Sequence, residues 1–320
     1  MFGQVIKNFG INVNALNERN TVSSGDLITG HISFGLTKQT KITSITMTVT
    51  GKVHVHWSTS GGGGRKGRNR RRNFSGKVEY FNFSSIILAE NSATGVASRL
   101  EPGTHVYPFT CQLPLGNFPS SFRGAHGEIV YSLTVAIHRP WHMSKTFVTE
   151  LNFVHHINPN QPELWAPLSG TNSMTVCSLL CTSGALSMTV STERKAFRPG
   201  ETVKIICDID NASSQTITPE VKLQQKQAFY TQNKVHSRMI VKTLVYKTGQ
   251  PISGHTSDVH AELMVTIPSL SVPSISNCSI LEVEYPIKVS LKVRACSELT
   301  VLVPIILCDA SVSAPPPSYL

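Results

Sequence analysis

From Ile45 the chain alternates strictly, with Ile45, Met47, Val49, Gly51, Val53, Val55 and Trp57 on one parity and Thr46, Thr48, Thr50, Lys52, His54 and His56 on the other. A period of two sustained over that length predicts a long strand with one face in a core and the other in water. The same pattern recurs at Tyr131, Leu133, Val135 and Ile137, at Ala261, Leu263, Val265 and Ile267, and at Tyr285, Ile287, Val289, Leu291 and Val293. Clusters of Gly, Pro, Asn and Ser punctuate these runs, and no stretch keeps a helical spacing between them. The pattern predicts an all-β chain of antiparallel β-sandwiches.

The pattern also repeats at long range. The stretches "NERNTVSSGDLI" from Asn17 and "TERKAFRPGETV" from Thr192 align without gaps at an offset of 175 residues, setting Glu18, Arg19, Gly25 and Asp26 on Glu193, Arg194, Gly200 and Glu201. Further on, "LPLGNFPSSF" and "IPSLSVPSIS" align at an offset of 154, with Pro114 on Pro268, Pro119 on Pro273 and Tyr131 on Tyr285. The difference between the offsets fits extra sequence in the first half, around its Gly/Arg-rich stretch. Two homologous sandwiches are therefore expected at 1–157 and 173–308, joined by a Pro-rich connector at 158–172 and followed by a tail at 309–320. The shared Gly25 and Gly200 fit turns that need positive φ, where the acidic neighbour bonds its own backbone.

A chain of 320 residues is long enough for each half to bury its own core. Seven cysteines, an odd number, and an N-terminus "MFGQVIKNFGINVNALNERN" without an apolar segment argue for free thiols in a reducing compartment. The expected location is the cytoplasm, which demotes the Asn-x-Ser sites at Asn73, Asn82, Asn211 and Asn277. The longest apolar runs, such as "LTVLVPIILC" from Leu299, are too short for a membrane helix and contain a proline.

The net charge of +10 is local in origin, because "RKGRNRRR" from Arg65 to Arg72 supplies six positive charges behind "GGGG" at Gly61 to Gly64. That placement reads as a long hairpin loop. A nucleic-acid-binding domain spreads its Lys and Arg over a face or along a helix, so no nucleic-acid partner is expected. The glycine run lacks the Gly-Lys-Ser/Thr that a phosphate loop needs. No nucleophile, base and orienting group assemble from the sequence, and nothing in it asks for a cofactor or metal, so an enzyme is not expected.

Taken together, "LPLGNFPSSFRGAHGEIVYSLTVAIHRPW" and "RPGETVKIICDIDNASSQTITPEVKLQQ" resemble the arrestin family, and within it the α-arrestins, or arrestin-domain-containing proteins. The Arg139-Pro140-Trp141 ending is the most α-arrestin-like detail, and the resemblance runs from about residue 5 to Asp309. It implies two tandem arrestin-type, immunoglobulin-like β-sandwiches acting as a scaffold for membrane cargo, receptors or transporters, without catalysis. Relatives carry Pro-Pro-x-Tyr motifs behind the second sandwich, and Pro316-Pro317-Ser318-Tyr319 fits that pattern. The implied partner is a WW domain of a HECT-type ubiquitin ligase, with Pro316, Pro317 and Tyr319 as the docking residues. A polyproline segment docks with little loss of entropy, and the tyrosine fills a second pocket. The resemblance thus implies an adaptor for cargo ubiquitination, endocytosis and endosomal sorting, in the cytoplasm and peripherally at the plasma membrane and endosomes. The alternative is a ligase-independent, retromer-like or structural sorting scaffold.

The sequence departs from the family in carrying a single Pro-Pro-x-Tyr where relatives often have two, and in ending its last strand "PIILCD". One site forgoes the effective concentration of two linked sites. Ser318 and Leu320 also fit a PDZ ligand if the carboxylate is free. For Arg65, Lys66, Arg68, Arg70, Arg71 and Arg72 three uses stay open: a solvated loop, an electrostatic tether to anionic lipid or phosphorylated cargo, and nuclear import or RNA binding. His54 and His56 share a strand face as a metal pair can, but with no third ligand nearby they read as surface histidines. Cys177, Cys181, His155 and His156 lack zinc-site spacing, and the thiols read as core or lipid-modifiable groups.

Overall fold

The computed structural model of the chain describes residues 5–60, 71–89, 98–158, 161–177, 182–293 and 298–309. Two compact units emerge. The first comprises Met1–His155 with the segments Tyr230–His236 and Asn277–Ile280, and the second comprises His156–Phe229, Ser237–Ser276 and Leu281–Leu320.

The first unit holds β1 (Ile6–Val13), β2 (Thr21–Val22), β3 (Leu27–Leu36), β4 (Thr40–Ile42), β5 (Ser44–Ser60) and β6 (Arg71–Leu88). It continues with β7 (Ser98–Leu100), β8 (Gly103–Gln112), β9 (Phe122–Arg123), β10 (Gly127–Arg139) and β11 (His142–Phe153). One sheet runs β1-β3-β8, another β2-β11-β10-β5-β6 with β9 on β10, and β4 pairs β7. The inward parity of β5 is buried as its alternation predicts, from Ile45 through Trp57, and so are Tyr131, Leu133, Val135 and Ile137 on the neighbouring β10. Each such aliphatic removed from water contributes about 1.5–3 kcal/mol. Gly51 sits on this inward parity because the Tyr131 ring crosses it, and a Cβ there would come within 2.7 Å of that ring.

The second unit opens with a single helical turn, α1 (Pro162–Trp165). Its strands are β12 (Leu168–Cys177), β13 (Thr182–Thr192), β14 (Ala196–Phe197), β15 (Thr202–Asn211) and β16 (Thr218–Tyr230). They are followed by β17 (Ser237–Thr248), β18 (Thr256–Thr266), β19 (Leu281–Lys292) and β20 (Glu298–Leu307). The sheets run β12-β13-β15-β18 and β14-β20-β19-β16-β17. Residues 168–172, which the sequence reading gives to the connector, thus lie in β12 and pair with β13 from Leu168↔Thr192 onward.

The duplication is visible bond by bond. In the first unit β2 pairs parallel with β11 through Phe153↔Val22, and in the second β14 pairs parallel with β20 through Leu307↔Phe197. Those residues stand at the two offsets read from the sequence. Gly25 and Gly200 have φ of 80° and 90°, the left-handed region that favours glycine. Beside them Asp26 accepts from the Ser23 N–H at 2.7 Å, and Glu201 accepts from the Arg198 N–H at 2.9 Å. Both turns are closed by their acidic residue, as expected of a side chain that bonds its own backbone.

Candidate functional site

Most of the residues singled out by sequence fall outside the described ones. That holds for Pro316, Pro317 and Tyr319, and for Arg65, Lys66, Arg68 and Arg70. What the structure places is the ground from which these segments depart.

Arg71 and Arg72 are already in strand β6, paired with Ser60 and Thr59, so the end of the basic run belongs to the ladder. Both are exposed. Two residues on, Phe74 pairs with Trp57 and stacks on its ring at 5.5 Å, and the His236 ring of the same unit meets Phe74 at 4.8 Å. Asn73, Phe74, Ser75, Thr231, Gln232, Asn233 and His236 line a shallow cleft there. The aromatic stack fixes the base of the hairpin, so Arg71 and Arg72 project from an ordered ladder. His54 and His56 lie on the outer face of β5 and are exposed.

At the other end of the described chain, Cys308 and Asp309 are fastened to the second sandwich. Cys308 is buried against Leu164 and Ala196, and its N–H donates to the Phe197 carbonyl at 2.9 Å. An Asp309 carboxylate oxygen lies 2.5 Å from His156 Nδ1. The segment carrying Pro316 therefore leaves from a fixed point. Around that point Arg194 stacks over the Phe197 and Trp165 rings at 4.7 and 5.5 Å and reaches Glu201 at 3.0 Å. Burial alone would raise the Glu201 carboxyl, but the Arg198 backbone N–H and guanidinium, with Arg194, outweigh it and hold the group below its ordinary value. Sequence alignment found Arg194 and Glu201 only as counterparts of Arg19 and Asp26. The ion pair itself has no signal in the sequence, and Arg19 in the first unit is exposed.

The described free cysteines are Cys111, Cys207, Cys278 and Cys308, all buried. Burial pushes the Cys207 thiol up to about 12, with Asp208 adding to it, and the Cys308 thiol up to about 11, with Asp309 and Glu201 adding to it. These are inert core thiols at neutral pH.

One feature that periodicity did not reveal is the β10–β11 turn. Arg139 pairs with His142, leaving Pro140 and Trp141 as a two-residue tip. Trp141 adopts φ 60° and is fully exposed, at 102%. A proline followed by positive φ is the signature of a type II turn, whose second central residue is ordinarily Gly or Asn. A bulky side chain there costs on the order of 1–2 kcal/mol.

Comparison with known proteins agrees with this architecture. A family model described as the N-terminal domain of arrestin (or S-antigen) matches residues 9–160, and one for the C-terminal domain matches residues 182–312. The chain is 28% identical to arrestin domain-containing protein 4 of Mus musculus over 285 residues, covering 89% of this chain and 68% of that protein. Identity to the Homo sapiens protein of that name is 26%, over 89% of this chain and 67% of that one. The thioredoxin-interacting protein of Homo sapiens is 22% identical over 291 residues, 90% of this chain and 71% of that protein. The chain belongs to the arrestin family, among the arrestin-domain-containing proteins or α-arrestins, whose members are adaptors and scaffolds rather than enzymes.

Proposed function

We propose that this adaptor brings a WW-domain HECT-type ubiquitin ligase to membrane receptors or transporters, for their ubiquitination, endocytosis and endosomal sorting. It works in the cytoplasm and peripherally at the plasma membrane and endosomes. The observation that carries the reading is Pro316-Pro317-Ser318-Tyr319, beginning seven residues after Asp309. A proline pair presets the polyproline II conformation that WW grooves bind, and Tyr319 sits at the spacing that fills the second pocket. The anchoring of Cys308 and Asp309 on the second sandwich supports it, because a ligand displayed from a fixed point holds the ligase close to whatever the sandwiches bind.

The basic stretch complements this role. Six charges in Arg65–Arg72 supply the attraction that brings an adaptor to an anionic membrane surface or a phosphorylated cargo tail. Exposure of Arg71 and Arg72 at the head of β6 agrees with that use.

The test is recovery of the full chain from cells, with its partners identified by mass spectrometry. The parent should bring down a HECT-type ligase together with ubiquitinated membrane proteins, and Tyr319→Ala should lose the ligase. Recovery of membrane proteins with no ligase from either form would replace this reading with the ligase-independent sorting scaffold.

A further inference from the structure

We propose that the Pro140–Trp141 tip of the β10–β11 hairpin is a membrane wedge, which seats Trp141 and Met143 in the headgroup region of an anionic phospholipid bilayer. Trp141 is 102% exposed and Met143 is 93% exposed, at the extreme end of the six-stranded sheet. Nothing in the fold requires tryptophan at this place. The turn would be relaxed by Asn or Gly, because Trp141 sits at φ 60°. A strained backbone that holds a large apolar side chain wholly in solvent points to a use outside the fold.

The charge around the tip selects the occupant. No Asp or Glu occurs from 129 to 149, while Arg139 and Lys145 do, the Lys145 Nζ donating to the Ile6 carbonyl at 3.2 Å. Strand β4 lies beside this end, with the Thr43 N–H donating to the His138 carbonyl at 2.9 Å, and it brings the exposed Lys41, paired with the exposed Arg99 of β7. Glu101, the carboxylate just past β7, accepts from the Gln39 amide at 2.6 Å. Arg139 has its Nε buried with no hydrogen-bond partner. An apolar tip collared by cations matches the interface of an anionic membrane, where tryptophan rings settle at headgroup level.

Size argues against a protein partner. A tryptophan buries about 250 Å² at most. A stable protein interface needs about 800 Å² from each side. For a bilayer, one aromatic insertion backed by several cations suffices for reversible attachment.

The wedge is independent of the basic Arg65–Arg72 stretch. Ile137 pairs with Ile45 at one end of β5, and Arg71 pairs with Ser60 at the other. At about 3.3 Å per residue the two ends lie roughly 50 Å apart. One bilayer meets both only if β5 lies along its plane.

Fluorescence of the full chain with phosphatidylcholine–phosphatidylserine vesicles tests the proposal, comparing the parent with Trp141→Asn in a background carrying Arg70, Arg71 and Arg72→Ser. Asn accepts positive φ, so the melting temperature should hold or rise. Trp57 is buried and Trp165 is partly buried, and the Trp141→Asn protein gives their combined emission, against which the change at Trp141 is read. Vesicles should shift the parent emission to the blue, and brominated lipid should quench it. Trp141→Asn should abolish both changes and weaken vesicle binding about tenfold. Unchanged Trp141 emission with vesicles, or equal vesicle binding by Trp141→Asn, would overturn the proposal. Loss of a co-purified protein by Trp141→Asn, with vesicle binding intact, would overturn it in favour of a protein partner.

Discussion

The Tyr285 hydroxyl donates a 2.7 Å hydrogen bond to the Val272 carbonyl, and in the first unit the Tyr131 hydroxyl donates one of the same length to the Pro119 carbonyl. Each buried tyrosine ties the central strand of its sheet to the segment ahead of it. Burial pushes the Tyr285 phenol up to about 12, against the effect of the hydrogen bond that the Gln225 side-chain amide donates to its oxygen. Tyr285→Phe leaves the Val272 carbonyl without that donor. Its expected cost is about 1–2 kcal/mol in urea or thermal unfolding. A loss within a few tenths of a kcal/mol, at the level of ordinary surface changes, would show the bond to be incidental.

The turn at Glu201 gives a prediction in pH. Its folded carboxyl value is depressed, so the stability it contributes is fully present above the unfolded value of about 4.3 and is lost as pH falls through the folded value. Glu201→Gln should therefore be less stable than the parent at neutral pH, with the gap closing on acidification. Glu201→Ala breaks contacts to the Arg198 N–H, the Arg198 guanidinium and Arg194, and about 2 kcal/mol is expected. Asp26→Ala, which removes the carboxylate that accepts from the Ser23 N–H, should cost about 1 kcal/mol. Equal costs at the two turns would contradict the role given to the arginines.

These two turns also show what could be read in advance. Gly25 and Gly200, with an acidic residue after each, are legible because positive φ and local backbone bonding are properties of single residues. The burial of β5 and β10 is legible because strand faces alternate with sequence parity. The Arg194–Glu201–Arg198 cluster is not, since it depends on the Trp165 and Phe197 rings closing over Arg194 from different segments. Strand β12 was hidden for a similar reason: its "LSGTNS" start has turn-like composition and becomes a strand by pairing with β13. Parity also says nothing about whether a turn projects beyond its sheet, so the exposure of Trp141 is not legible in the sequence. Of the candidate site, the motif residues were read directly from the sequence, while the anchoring of Asp309 by His156 required the fold.

Thiol chemistry offers a separate check. Cys207 and Cys308, buried and held up at about 12 and 11, have almost no thiolate at pH 7. Maleimide should label neither in the native protein within the time that labels both in denaturant, as read by peptide mass spectrometry. Rapid native labelling of either would contradict its burial.

The basic stretch predicts a salt dependence. Vesicles containing anionic lipid should hold the parent at low ionic strength and release much of it at about 0.15 M, where exposed charges are screened over about 8 Å. Arg70, Arg71 and Arg72→Ser should reduce this salt-dependent component while leaving the melting temperature unchanged, because Arg71 and Arg72 are exposed at the edge of the ladder. A triple variant with the parent's full salt-dependent binding would return the stretch to a solvated loop.

The central claim, that the second sandwich displays a WW ligand, is tested most directly by calorimetric titration of the full chain with a purified WW domain from a HECT-type ligase. The account predicts saturable one-to-one binding at micromolar to submillimolar concentration. Tyr319→Ala should abolish it, and the arginine-to-serine triple variant should keep it unchanged. Binding that survives Tyr319→Ala undiminished, or no binding by the parent at millimolar WW domain, would contradict the account.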